Sequence, residues 1–221
     1  MITDSEHALR EADLSFSPNY EAKIPKFAKH RRIYEWLSSF ANKSDVSVLE
    51  VGSRKVQIPR EFQWDNFIPN CRYTGFDFHE GENVDVVGDA HELSKYFRPN
   101  SFNVVVSLAV FEHLAMPWLV AEEISDVLKI GGYAAIETHF SYSEHELPWH
   151  FFQFNSNGLQ VLFNKQLGFE LVDSGMSNPI VGRFSHCADQ YLRGRPVGEL
   201  YCHSSIIVRK IAERANDFSW H

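Results

Sequence analysis

The chain has 221 residues, of which 44% are hydrophobic and 23% charged, enough for one domain with a substantial core or one domain and a cap. A formal net charge of −8 argues against a general nucleic-acid binder, whose affinity comes from neutralising phosphates. No apolar run approaches a membrane span, MITDSEHALREAD lacks a signal-peptide core, and Cys71, Cys187 and Cys202 form neither a disulfide framework nor a CxxC knuckle. The expected compartment is reducing cytoplasm.

Met1–Asn19 is polar and weakly patterned, a surface arm. Over Lys26–Ala41 the apolar residues Phe27, Ile33, Trp36, Leu37 and Phe40 fall at near-helical spacing, which predicts an amphipathic helix. Its basic run, Lys29 to Arg32, reads as a solvated helix face. Val46–Val51, Arg72–Phe76 and Val84–Val87 are short apolar runs, each closed by Gly or Asp, and are expected to be buried parallel strands. Between the first two, Pro59 and Pro69 limit any helix to Arg60–Phe67. Between Asp77 and Val84 lie only the six residues FHEGEN, too few for a crossover helix, so the third strand must be short or displaced. His91–Phe97 reads as one or two helical turns, and Phe102–Leu108 as a strand. Pro117 opens a helix with Leu119, Val120, Ile124, Val127 and Leu128 on one face, stopped by Gly131-Gly132. Tyr133–Thr138 is the next strand, followed by a loop dense in His, Glu and aromatics. A helix over Asn157–Leu167, a strand starting at Gly168, an irregular insertion and a final strand Tyr201–Lys210 complete the chain. The alternation predicts a doubly wound α/β sheet. The expected organisation is an arm and helix over 1–45, then one domain over 46–221 with cap insertions at about 139–156 and 177–199.

In such a sheet, ligands sit off the carboxyl ends of the strands where strand order reverses. Glu50, Gly52, Asp77, Gly88 and Asp89 all reach that edge. A nicotinamide dinucleotide needs three glycines beside its pyrophosphate, and the turn Gly52-Ser53-Arg54-Lys55-Val56-Gln57 has one. S-adenosylmethionine has a ribose but no phosphate. Asp77 suits its ribose hydroxyls, Arg54 its carboxylate, and nearby acidic residues its sulfonium.

LEVGSR, YTGFDF, VVGDAHEL, FNVVVSLAVFEHL and LKIGGYAAIETH, in order from Val46 to Thr138, resemble the successive motifs of class I S-adenosylmethionine-dependent methyltransferases. The resemblance implies a seven-stranded Rossmann-like sheet of order 3-2-1-4-5-7-6 with the last strand antiparallel, here without the helix after strand 2. It also implies cofactor contacts at Glu50, Gly52, Ser53 and Arg54 in the first turn, at Asp77 and Phe78 beside the ribose, and at Gly88, Asp89, Ala90 and His91 around the adenine. Ser107 and Leu108 would lie under the methionine part. The His-Glu-Leu-Pro-Trp segment after the fifth strand is similar to an abbreviated type-11-like group that modifies glycans and secondary metabolites.

The acceptor side is read from His113, His139 and His145, which reach the carboxyl ends of the fourth and fifth strands amid Trp118, Phe140, Tyr142, Trp149, Phe151 and Phe152. Histidine is the natural base near neutral pH. Glu137, His139, Glu144, His145, Glu146 and His150 match no recognised metal-ligand spacing, so no metal is expected. The expected function is methyl transfer from S-adenosylmethionine to an oxygen or nitrogen of a small-molecule or glycan acceptor. The alternatives are a nicotinamide-dependent oxidoreductase and a catalytically silent cofactor-binding protein.

Overall fold

Val48, Leu49 and Val51 have no polar face to offer water, and Ser47–Val51 (β1) accordingly sits in the middle of a sheet with every residue buried. The computed structural model describes residues 33–38, 45–55 and 70–220. The N-terminal arm, the basic run at 29–32 and the expected helix over 60–67 lie outside them; of the first helix, Ile33–Leu37 (α1) is described. Around β1 the strands Arg72–Asp77 (β2), Val86–Val87 (β3), Phe102–Leu108 (β4), Leu128–His139 (β5), Phe169–Ile180 (β6) and Leu200–Lys210 (β7) form one seven-stranded sheet of order β3-β2-β1-β4-β5-β7-β6. The β3-β2-β1-β4-β5 pairs are parallel, and β7 runs antiparallel to both β5 and β6. That is the expected order.

Side chains alternate across the sheet. Leu49, Val51, Val105, Ile136 and Ile206 face one core, covered by the helices Pro117–Val127 (α2) and Ser156–Leu162 (α3). Val48, Val104, Val106, Ala135 and Ile207 face the other, which holds Ile33, Trp36 and Leu37 of α1. Each such side chain, fully buried, stabilises the fold by roughly 1.5–3 kcal/mol.

Three boundaries differ from expectation. The helix α2 stops at Val127 rather than at the glycine pair, because Leu128 is already buried and paired with Phe102. Gly131-Gly132 instead lie within β5, where a Cβ on Gly132 would stand 2.9 Å from the Asn103 carbonyl oxygen. The helix expected over 157–167 ends at Leu162, since the Asn164 side chain accepts the Gln166 and Leu167 N–H groups and starts a separate 3-10 turn. Strand β6 runs on to Ile180, so the second insertion is shorter than its sequence suggests.

The abbreviated β2–β3 connection is built as the sequence requires. A parallel return must carry the chain back along the strand it leaves. Here β3 is two residues long and pairs only with Phe76 and Asp77, so the distance to recover is small. The loop folds onto β2 in place of a helix: the Asp85 N–H donates to the Gly75 carbonyl (2.9 Å), and the Gly75 N–H donates to the Asp85 carboxylate (2.8 Å). A Cβ on Gly75 would lie 2.0 Å from the Asn83 carbonyl oxygen, so only glycine permits this approach. The Asn83 side chain then donates to Ser53 O (3.0 Å) and to the Tyr73 hydroxyl (2.6 Å), while Tyr73 donates to the buried carboxylate of Glu50. Burial, and then the Glu50 charge, push the Tyr73 phenol upward and keep it a donor.

At the far end of the sheet the Lys210 ammonium is fully buried. It donates to the carbonyls of Ser125 (2.8 Å) and Leu128 (2.9 Å) at the end of α2 and pairs with Glu213 (2.7 Å). A cation there meets the negative end of the helix dipole and carbonyls that have no other donor within the helix. Lys210→Met is expected to lower stability by about 3 kcal/mol, the scale for breaking a buried charged contact. Urea unfolding at unchanged m-value checks this, and a loss below about 1 kcal/mol would show the carbonyls are satisfied otherwise.

Candidate active site at the carboxyl edge of the sheet

The carboxyl ends of β1, β2, β3, β4 and β5 meet on one edge, and two groups of side chains gather there. The first lies around the ends of β1, β2 and β3. Gly52 turns with φ +83°, and a Cβ on it would stand 2.1 Å from Val110 Cγ2, so glycine lets the β1 turn pass beneath the β4 turn. Ala109, also left-handed at φ +55°, is held by its N–H donating to Glu137 O (2.9 Å) and aims Val110 over Gly52. Buried Ser53 has a hydroxyl with no hydrogen-bond partner among the described residues, and so does Ser107, near the end of β4. Buried hydroxyls are usually satisfied, and two unpartnered ones at one strand switch point mark a place for a polar ligand.

Asp77 is the last residue of β2. Its carboxylate accepts the backbone N–H of Arg54 (3.0 Å) and of His79 (2.9 Å), which fixes its orientation and leaves lone pairs for hydroxyl donors. Arg54 lies back against this carboxylate, with Nε 3.7 Å from Oδ1 and its stem over Gly81, where a Cβ would be 2.8 Å from Arg54 Cγ. Sequence reasoning expected Arg54 to reach the cofactor carboxylate; here its guanidinium lies beside Asp77. Phe78 follows with its ring 66% exposed, an aromatic face that no core residue covers. Asp89, after β3, caps the 3-10 turn Ala90–Lys95 by accepting the His91 N–H (2.9 Å), and it also meets His91 Nδ1 at 2.6 Å. Burial raises the Asp89 carboxyl, but the bonds from His91 outweigh it and hold the group below its ordinary range. The other His91 nitrogen accepts the Met116 N–H, so this ring braces the turn against the start of α2. Glu50 is engaged below the site with Tyr73 and Asn83, and Leu108 packs on the α1 side of the sheet. Gly88 packs under the Tyr96 ring, which a Cβ would meet at 2.4 Å.

The second group centres on Glu112, in the 3-10 turn Phe111–His113 after β4. Its side chain is fully buried, accepts the Thr138 hydroxyl (2.6 Å) and lies 2.6 Å from His139 Nδ1, with that N–H off the line to Oε1. Burial pushes this carboxyl up, yet His139 and Thr138 together outweigh it and keep Glu112 ionised below the usual range. Its backbone carbonyl accepts the Phe151 and Phe152 N–H groups, which draws the 140–155 loop over the edge. Five imidazoles then come together. The His145 ring lies 4.8 Å from those of His113 and His150 and 5.0 Å from that of His139, and His203 of β7 lies 5.0 Å from His139. Tyr142 stacks on His139 at 4.6 Å. Of the aromatics expected around them, Tyr142, Trp149 and Phe151 are exposed on the loop, whereas Trp118 packs against the α2 core.

His113, His139 and His145 are therefore neighbours, as their positions in the sequence suggested. Glu112, His150 and His203 were not singled out as site residues. For Glu112 the signal was present, a carboxylate beside His113 after the fourth strand. For His203 there was none, because only the β5–β7 pairing brings it opposite His139.

Burial, and then the nearby His139, hold His203 below its ordinary value, while Glu112 pulls the other way. The folded chain thus takes up this proton less readily than the unfolded chain. The neutral ring's contribution to stability is complete above the unfolded value of about 6.5 and is lost as pH falls through the folded one. Wild type should lose stability between about pH 7.5 and 5.5 more steeply than His203→Gln; parallel denaturation curves across that range would remove His203 from the titration.

Residues 49–136 match the family profile described as a methyltransferase domain. No curated protein matches the chain by sequence. The fold is similar to that of a putative methyltransferase from Bacillus halodurans C-125 (TM-score 0.58, 18% identity, 81% of this chain and 99% of that one). It is also similar to a SAM-dependent methyltransferase from Archaeoglobus fulgidus (TM-score 0.56, 17% identity, 82% and 96%). A third likeness is to the Burkholderia thailandensis 1,6-didemethyltoxoflavin-N1-methyltransferase, solved with 1,6-didemethyltoxoflavin and S-adenosylhomocysteine (TM-score 0.54, 16% identity, 81% and 78%). The left-handed glycine turn, the two buried unpartnered hydroxyls and the carboxylates ending β2 and β3 fit S-adenosylmethionine. With the motifs in order and the 3-2-1-4-5-7-6 sheet, residues 49–136 form a methyltransferase domain in a sheet of the class I S-adenosylmethionine-dependent fold.

Proposed function

We propose that the chain methylates an oxygen or nitrogen of a small-molecule or glycan acceptor held against the histidine cluster. The observation that carries this reading is the buried Glu112 holding His139 at the end of β5, on the same sheet edge as Asp77 and Asp89. When bound, S-adenosylmethionine supplies a methyl group made electrophilic by its sulfonium. Asp77 accepts the ribose hydroxyls, Phe78 offers a ring for the adenine to stack on, and Asp89 and Ala90 border the adenine edge. The hydroxyls of Ser53 and Ser107, Gly52 and the backbone at Leu108 line the methionine end. Glu50, His91, Gly88 and Arg54 hold these parts in place.

On the acceptor side, Glu112 keeps the proton of His139 on Nδ1, so Nε2 carries the lone pair. As the acceptor oxygen or nitrogen forms its bond to the methyl carbon, its proton passes to His139 Nε2, and the electrons of the carbon–sulfur bond return to sulfur. Positioning supplies much of the acceleration of such an in-line displacement. Tyr142, Trp149 and Phe151 give the acceptor apolar surface, the usual make-up of a pocket with few polar groups. A small acceptor is in keeping with the Burkholderia relative, which holds 1,6-didemethyltoxoflavin.

S-adenosylhomocysteine should bind, and Asp77→Asn should weaken it by about 1.5–3 kcal/mol, the scale for hydrogen bonds to a charged group. An analogue without ribose hydroxyls should bind both proteins alike, and calorimetry on the four pairs reads this directly. If Asp77→Asn weakened both ligands equally, Asp77 would act by holding Arg54 and His79 rather than by touching ribose.

Turnover, measured as S-adenosylhomocysteine formed with hydroxyl- and amine-bearing acceptors, tests the base. His139→Ala should lower it roughly a hundredfold or more and leave S-adenosylhomocysteine affinity unchanged. Full turnover in His139→Ala would end its role as base, and no turnover by wild type on any acceptor would favour a silent cofactor-binding protein.

A further inference from the structure

We propose that Glu112, His113 and His145 form a binding site for one divalent transition-metal ion. Among the described residues, each of the three offers a ligand atom within 4.8 Å of the other two. A tetrahedral site with bonds near 2.1 Å asks those distances to close to about 3.4 Å, with Glu112 held in place and the two histidines, on a turn and a loop, moving to it.

Around His139, the hydrogen bonds sort the other four imidazoles by which nitrogen has a lone pair to give. His113 Nδ1 meets the Trp149 carbonyl oxygen at 2.6 Å, and His145 Nδ1 meets that of Ser143 at 3.0 Å. A carbonyl only accepts, so both rings carry their proton on Nδ1 and present a bare Nε2. An Nδ1–H bonded to a backbone carbonyl is the usual outer support of a metal-ligating histidine. His150 is the reverse: its Nδ1 accepts the His145 N–H (3.2 Å), so its proton sits on Nε2 and it positions the loop. His203 Nδ1 likewise accepts from the Asn178 amide at 2.8 Å. Of these four rings, His113 and His145 are the two with a bare Nε2, and both lie beside Glu112, while His139 on the other side of that carboxylate keeps its Nε2 for the acceptor proton.

Glu112 completes the set. A carboxylate offers about four lone-pair positions, and Thr138 and His139 occupy one on each oxygen, leaving the others for a metal. Those two contacts also fix its orientation, as carboxylate ligands require. Two imidazoles and one carboxylate select zinc, iron(II) or manganese over the hard ions that prefer oxygen alone, and three protein ligands leave a position open. A consequence that rests on the methyl-transfer reading is that an acceptor oxygen takes this open position, where the ion lowers its proton affinity beside His139. The ligands come from two separate segments, the β4 turn and the loop after β5, which is why no short spacing motif marks the site.

Metal binding tests the site without any acceptor. Chelator-treated protein is titrated with Zn2+ by calorimetry and with Co2+ by visible absorbance. One ion should bind per chain, with Co2+ showing the bands of a low-coordinate site. His113→Ala, His145→Ala and Glu112→Gln should each weaken Zn2+ at least tenfold, and Thr138→Val by roughly ten- to a hundredfold, the usual cost of losing a support behind a ligand. His203→Gln should change it less than threefold. S-adenosylhomocysteine binding, measured on each variant, reports both the fold and the cofactor reading separately; should Glu112→Gln not fold, the two histidine variants decide. Zn2+ affinity weaker than about 100 μM in wild type, or equal affinity in His145→Ala, would overturn the proposal, the second by placing the ion elsewhere.

Discussion

One buried carboxylate organises the histidine cluster at the carboxyl ends of β4 and β5. Taking Glu112 out of water costs several kcal/mol, and the fold offsets that with the Thr138 hydroxyl and the His139 ring. Because Thr138 and His139 are the last two residues of β5 and Glu112 follows β4, the contact ties the ends of two adjacent parallel strands. The backbone of Glu112 then takes the N–H groups of Phe151 and Phe152, and the His139 carbonyl takes that of Phe154. The loop carrying His145 and His150 is thereby fastened at both its returning residues and its origin. Without the charge at Glu112, the loop would keep its backbone bonds but the ring of His139 would lose the partner that sets its proton.

The cofactor half depends on a different economy. A helix after β2 would ordinarily wall the pocket; here eight residues, 78–85, pass between β2 and β3. They pack directly on the strand at Gly75 and reach the inner polar network of Glu50, Tyr73 and Asn83. Thus Glu50 and the Arg54 stem stabilise the loop that stands in for the helix, and Asp77 is fixed by two backbone N–H groups before any ligand arrives. Preorganisation of that carboxylate lowers the entropy cost of binding any hydroxyl-bearing ligand there.

Sharing one edge has a functional consequence. The switch between β1 and β4 brings Gly52 and Val110 together, and Glu112 lies two residues beyond Val110. Any shift of the β4 turn is felt by both halves of the site. The close packing of Val110 on a residue without a Cβ leaves little room for such a shift, so the two halves are held at a set separation.

The strands and the cofactor edge were legible in the sequence because they rest on local patterns, and the strand order followed from the resemblance of the ordered motifs to class I methyltransferases. Continuous apolar runs can only be buried strands, Gly52 and Asp77 end two of them, and six residues between Asp77 and Val84 cannot hold a crossover helix. Likewise His113, His139 and His145 are near strand ends that the order makes adjacent. What the tertiary structure alone decided is which nitrogen of each histidine is bare, since that follows from carbonyls of Ser143 and Trp149 whose approach no pattern encodes. It also decided that Arg54 turns to Asp77, that α2 gives way to β5 before its glycines, and that His203 joins the cluster from across the β5–β7 pair. Periodicity and turn chemistry act over a few residues, whereas hydrogen-bond partners are set by segments as much as 113 residues apart that meet only when the sheet is complete.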